Sequence, residues 1–341
     1  MNSRERFETA LDRWRPDRVP LAYLFFGGGH AVLDELGLTM KDAYYSPEGI
    51  VRAQLKAREM FQHDNVMSPW GCMTIEAEAL GSAVDVRDMA YPGISSHAVK
   101  EDTDVAHLRV PDPSKDGRMP VVLESLRMLA GEIGHDTIVA GFMCSPFTIL
   151  DGIRGMSEVG IDMLMKPDML KKMLEVSTDT CLVYGKAMVD AGAAVILIKD
   201  GFAGADMMSR EHCREFVIQY LEPVVHSLQE YGARIIVGNV SSQPYLDMQV
   251  AAGPDAICFA AGDIAEVKTA FGDKVCIIGN VDQTQMTSWD TDTIEQEARQ
   301  CIDKAKGNGG YILSTGCEIP LDAPAENTRA LYSAVRKYGL Y

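Results

Sequence analysis

The chain has 341 residues, with 32 Lys and Arg against 49 Asp and Glu, for a formal net charge of −17. So acidic a balance argues against a nucleic-acid groove or an anionic membrane surface, both of which need clustered basic residues. Hydrophobic residues make up 47%, enough for a large core, and the length suits one α/β barrel.

The first residues, MNSRERFETALDRW, are charged and helix-patterned, with no apolar signal core, and no run approaches the ~18 apolar residues of a membrane helix. The protein is therefore expected to be cytoplasmic, with no membrane partner. Short apolar runs rich in β-branched residues predict strands at 19–25, 65–69, 138–142, 194–199, 234–238, 256–260, 275–279 and 311–315. Strands apolar throughout fit a parallel sheet covered on both faces. Helix-period segments lie between them. One begins with Pro167 at a first helical position, and another opens on Ser209 as N-cap and should kink at Pro223. Eight strand-helix units in order describe a (β/α)8 TIM-type barrel, a single domain over 1–341 with an N-terminal helical extension. A doubly wound sheet is the alternative, although FFGGGHAV lacks the GxGxxG spacing. Residues 80–135, a long insertion after strand two, read as a lid or cap. Eight cysteines without a CxxC pair read as reduced thiols, and nineteen methionines as adaptable core packing.

Barrel chemistry sits at the C-terminal ends of the strands, where the loops converge. Those positions carry His30, then Glu76 and Glu78, then Cys144 and Ser145. Asp200, Asn239, Asp263, Asn280 with Asp282, and Cys317 with Glu318 complete the rim. Buried carboxylates there need a partner, a metal or a substrate. Each also has a plainer role: Asp263 suits an N-cap, His30 a loop hydrogen bond, Cys144 packing. Asp200, followed by Gly201, is expected to face the mouth. Glu76 and Glu78 would share one side of an extended segment and form a carboxylate pair. Trp70, Phe142, Phe147 and Phe202 lie near strand ends and can line a pocket.

Five segments together resemble the uroporphyrinogen decarboxylase superfamily nearly end to end: ALDRWRPDRVPL, IEAEALGSAV, IKDGFAGADMMSREHCREFV, IIGNVDQTQM and STGCEIPLDAPAENTRAL. The arginine-rich loop by which the decarboxylases grip porphyrin carboxylates is absent; LFFGGGHAVLDEL stands there without an arginine. The chain is more similar to the corrinoid-linked methyltransferases. That resemblance implies a partner protein carrying a corrinoid and a small-molecule methyl donor, expected to be an O-methyl compound such as a methoxylated aromatic (an O-demethylase). Zinc-dependent members carry His-x-Cys at strand five and Cys at strand eight. Cys317 matches the latter, but Ile235 and Val237 stand in the former positions. Two accounts stay open. Zinc could be held by a non-standard set, with Cys317, Glu76 and His97 as ligands and Glu78 also near. Alternatively, no metal is held and Asp200 or a glutamate serves as general acid. The resulting expectations are Asp200, Glu78 and Asn239 as catalytic, and His30, Trp70, Phe142, Phe202 and Asn280 as substrate-binding. A decarboxylase of uroporphyrinogen or a related acid is the rival function, and a non-catalytic binding barrel a third.

Overall fold

Apolar strands separated by amphipathic helices must bury two faces each, and a barrel wrapped in helices does this with one sheet. The computed structural model describes residues 1–23, 29–69 and 73–341. Helix α1 (Ser3–Leu11) leads to an extended segment over 19–23. Then come α2 (Gly29–Leu36), α3 (Met40–Tyr45), α4 (Pro47–Phe61), β1 (Asn65–Ser68) and α5 (Ile75–Ala79). A hairpin of β2 (Ala83–Asp85) and β3 (Gly93–Ser96) follows, then α6 (Met119–Ile133), β4 (Ile138–Cys144), α7 (Pro146–Arg154), α8 (Met156–Met165) and α9 (Pro167–Asp190). After β5 (Val195–Lys199) come α10 (Arg210–His212), α11 (Gln219–Glu230), β6 (Arg234–Asn239), α12 (Leu246–Ala251), β7 (Ala256–Phe259) and α13 (Ile264–Phe271). The chain ends with β8 (Cys276–Ile278), α14 (Thr291–Ala305), β9 (Tyr311–Ile312) and α15 (Ala325–Tyr338).

The sheet order is β1-β4-β5-β6-β7-β8-β9, and every pair is parallel. Sequential order without reversal excludes the doubly wound alternative. The eighth stave is the segment over 19–23. Leu21 bridges Leu313 in parallel, and the Ala22 N–H donates to the Leu313 carbonyl at 2.8 Å. On its other side the Asp64 N–H donates to the Leu21 carbonyl at 2.8 Å, while the Asn65 side chain pairs with both backbone groups of Tyr23. Part of this seam is thus sewn by a side chain. The rest of the expected first strand, from Leu24 onward, lies outside the described residues.

Strand pleat separates two cores. Met67, Ala140, Phe142, Leu197, Ile236, Cys258 and Ile278 fill the barrel interior, joined by Phe7, Ala10 and Leu11 of α1. The N-terminal helix is therefore a plug under the barrel. Ile196, Ile198, Ile235 and Val237 face the helical layer. Within 80–135, α6 packs on α4, β1 and β4 as a wall helix, while β2 and β3 form a separate sheet. The helix expected to kink at Pro223 changes form upstream of it: a π-helical stretch, Cys213–Ile218, precedes α11, and Pro223 lies inside α11. No helix among the described residues is long and apolar enough to cross a membrane.

Candidate active site at the barrel mouth

On β5, Val195 and Leu197 point into the barrel, so the same parity aims Lys199 inward at the C-terminal end. Its side chain is 4% exposed, and its Nζ donates to Cys317 Sγ at 3.5 Å. Cys317 is held there by its loop. Gly316 packs so tightly on the end of β7 that a Cβ would lie 2.6 Å from Ala260 Cα and 2.8 Å from the Phe259 carbonyl. Thr315 Oγ1 donates to the Cys317 carbonyl at 2.5 Å. Cys258 on β7 faces the same space, its Sγ 3.8 Å from the Gly316 carbonyl. Burial pushes the Cys258 thiol up to about 12, the neighbouring Cys317 adds to this, and Lys199 opposes it. Of the seven described cysteines, Cys317 alone is partly exposed. A lysine and two thiols from three separate strand ends thus converge at the mouth, with Phe142 buried beneath them.

The expectation that Asp200 faces the mouth is corrected. It follows Ile196 and Ile198 in parity, outward into the helical layer, and is fully buried. Its Oδ1 accepts from Ser145 Oγ at 2.9 Å and its Oδ2 from Gln249 Nε2 at 2.6 Å. Burial pushes its carboxyl up to about 6, with the Gln249 and Ser145 hydrogen bonds opposing. Asn239 belongs to the same chain of bonds, donating to Gln249 Oε1 and to the Ala203 carbonyl, each at 2.9 Å. These two residues tie strand exits together behind the site.

The glutamates also depart from expectation. Residues 75–79 form a helix instead of an extended segment, so Glu76 and Glu78 diverge instead of pairing. Glu78 binds Arg118 Nε at 2.5 Å, and Arg118 also donates to Thr74 Oγ1 at 2.6 Å, which clamps α5 to the start of α6. Glu76 turns inward, where its Oε1 accepts from the Cys144 N–H at 2.8 Å. That bond replaces a sheet hydrogen bond beyond the end of β1. Glu76 Oε2 has no partner among the described residues, and burial pushes the carboxyl up to about 7.

His97 Nδ1 lies 3.2 Å from the Gly152 carbonyl and braces β3 against α7, away from Cys317. The expected set of Cys317, Glu76 and His97 is not assembled, and no three of His, Cys, Asp and Glu are grouped to hold a metal among the described residues. On β6 the inward positions are Ile236 and Gly238, and the outward ones Ile235 and Val237, so neither parity offers a ligand. Zinc does not fit the donor set that the described residues provide. His30 Nε2 lies 2.9 Å from the Met89 carbonyl, a loop contact. Asn280 donates to the Gly262 carbonyl at 2.9 Å, joining two strand exits. Phe202 stacks edge-on against Phe147 with centroids 6.3 Å apart. Asp263 caps α13. Trp70 lies outside the described residues. Over the mouth, the Tyr91 hydroxyl donates to Glu318, beside Cys317, and the Met40 N–H donates to the Asp88 carbonyl at 2.9 Å. The segment between β2 and β3 is held against the barrel in this way.

Lys199, Gln249 and Cys258 are site residues beyond those expected from the sequence. For Lys199 a signal was present: a lysine closing an otherwise apolar strand, one residue before the aspartate that drew attention.

The family model described as uroporphyrinogen decarboxylase (URO-D) matches residues 2–338. The chain belongs to the uroporphyrinogen decarboxylase family. Within that family it is 27% identical over 337 residues to the methylcobamide:CoM methyltransferase MtaA of Methanosarcina barkeri, covering 98% of this chain and 97% of that one. The uroporphyrinogen decarboxylase of Syntrophotalea carbinolica is 26% identical over 246 residues, 70% of each chain. A solved methyltransferase from Methanosarcina mazei superposes with a TM-score of 0.91 at 25% identity, covering 99% of both chains. The corrinoid-linked methyltransferase branch of the family is thus matched over its whole length.

Proposed function

We propose that this chain is a methyltransferase that moves a methyl group from a small O-methylated donor to the cobalt of a corrinoid carried by a partner protein. The observation that carries this reading is the make-up of the mouth. It offers one buried cation beside a partly exposed thiol, in a barrel matched end to end by methylcobamide methyltransferases. A porphyrinogen with many carboxylates needs several cations, and residues 19–36 contain no arginine or lysine. A small donor fits the single lysine better. The acceptor protein would dock over the strand C-terminal ends, where the exposed Met73, Met89 and Met207 provide adaptable apolar contacts. The segment held by Tyr91 would open to admit the corrin.

The test mixes the protein with a cobalt(I) corrinoid and a panel of methoxylated aromatics, and follows the cobalt(I) absorbance. Conversion to the methylated corrinoid is expected with at least one donor. Absence of conversion with every donor, together with decarboxylation of a porphyrinogen, would overturn the proposal.

A further inference from the structure

Among the described residues the mouth assembles no ligand set for a metal, yet the reaction still needs something to receive the departing oxygen. We propose that Lys199 does this in place of a metal ion, and that the donor class is therefore an aryl methyl ether. This rests on the methyl-transfer reading above. Three observations point to it. Lys199 is an inward-facing lysine, 4% exposed, at the C-terminal end of a barrel strand. Its Nζ reaches Cys317 Sγ, the one matched position of the family's metal motif, at 3.5 Å. The two positions that match the rest of that motif are Ile235 and Val237, and their inward-facing neighbours Ile236 and Gly238 offer no ligand either.

The step balances with no metal ion at the departing oxygen. The methyl C–O bond breaks with its electron pair on oxygen, and the methyl carbon bonds to the cobalt(I) acceptor through the metal's electron pair. The oxygen takes a proton from Lys199 Nζ and leaves as a phenol, and the amine regains its proton from water. An aryl oxygen suits this step because a phenolate is a far better leaving group than an alkoxide and the ammonium can meet its charge. A quaternary or protonated methylamine would bring positive charge against the ammonium and is rejected. Cys317 positions the amine by accepting its hydrogen bond.

Two measurements test this. The first compares alkylation of Cys317 by anionic iodoacetate and neutral iodoacetamide, resolved by peptide mass spectrometry. Because both reagents attack the same sulfur, their rate ratio reports the local charge independently of how much of the thiol is ionised. Lys199→Met should lower the ratio roughly tenfold, and Lys199→Arg should preserve it. An unchanged ratio in folded Lys199→Met would overturn the proposal. The second uses protein exhaustively treated with a chelator. It should demethylate aryl methyl ethers undiminished, leave quaternary amines untouched and lose at least about a hundredfold in Lys199→Met. Activity lost on chelation and restored by zinc, or equal turnover of quaternary amines, would overturn it. If no ether is turned over at all, methyl transfer itself fails, and the alkylation ratio still decides whether Lys199 charges the mouth.

Discussion

Glu76→Gln isolates the energetic cost of a buried carboxyl at the edge of the site. In the folded chain, burial moves this group from 4.5 to about 7. At about 1.4 kcal/mol per pH unit, ionising Glu76 in place costs about 3 kcal/mol relative to the unfolded chain. Between the two values the folded chain holds the proton and the unfolded chain has released it. Stability therefore falls as pH rises from about 5 to about 7. Glutamine mimics the protonated form, and its oxygen can still accept from the Cys144 N–H. The variant should match the parent near pH 5 and exceed it by about 2–3 kcal/mol at pH 8. Urea unfolding at both pH values, with equal slopes, reads the difference directly. A difference that is flat with pH, or that favours the variant more at low pH, would refute the argument that burial dominates this group.

The barrel seam and the covering segment give two further predictions. Asp64, fully buried, accepts from Arg6 at 2.8 Å, Arg18 at 3.0 Å and the Leu21 N–H at 2.8 Å. Asp64→Asn should cost up to roughly 3–5 kcal/mol by urea unfolding, because Arg18 loses its carboxylate and Arg6 keeps only Asp17; a loss below about 1 kcal/mol would mean the seam does not depend on it. Tyr91→Phe removes the hydroxyl that donates to Glu318. Amide exchange over residues 85–93 should accelerate at least about tenfold while global stability holds, and unchanged protection would show that other contacts hold the segment.

Much of the architecture was legible in the chain. β-branched apolar runs alternate with amphipathic helices, and the expected strands from residue 65 onward recur as seven parallel strands. The place of Cys317 at the end of the last strand was legible too, through the STGCEIP segment, although the metal set expected around it is not assembled among the described residues. Three things were decided only by tertiary structure. The first is closure: the stave over 19–23 makes few ladder bonds of its own and is recognisable only from its contacts with Leu313, Asp64 and Asn65. The second is the form of IEAEA, too short for its period to separate helix from strand, so a carboxylate pair became two diverging residues with separate partners. The third is the choice between Lys199 and Asp200. Residues 195–198 are all apolar because the strand is buried on both faces, and a strand without alternation does not tell its inner side from its outer one. Only closing the sheet around the interior assigned Lys199 to the mouth and Asp200 to the helical layer, because neighbouring side chains on a strand must point to opposite faces.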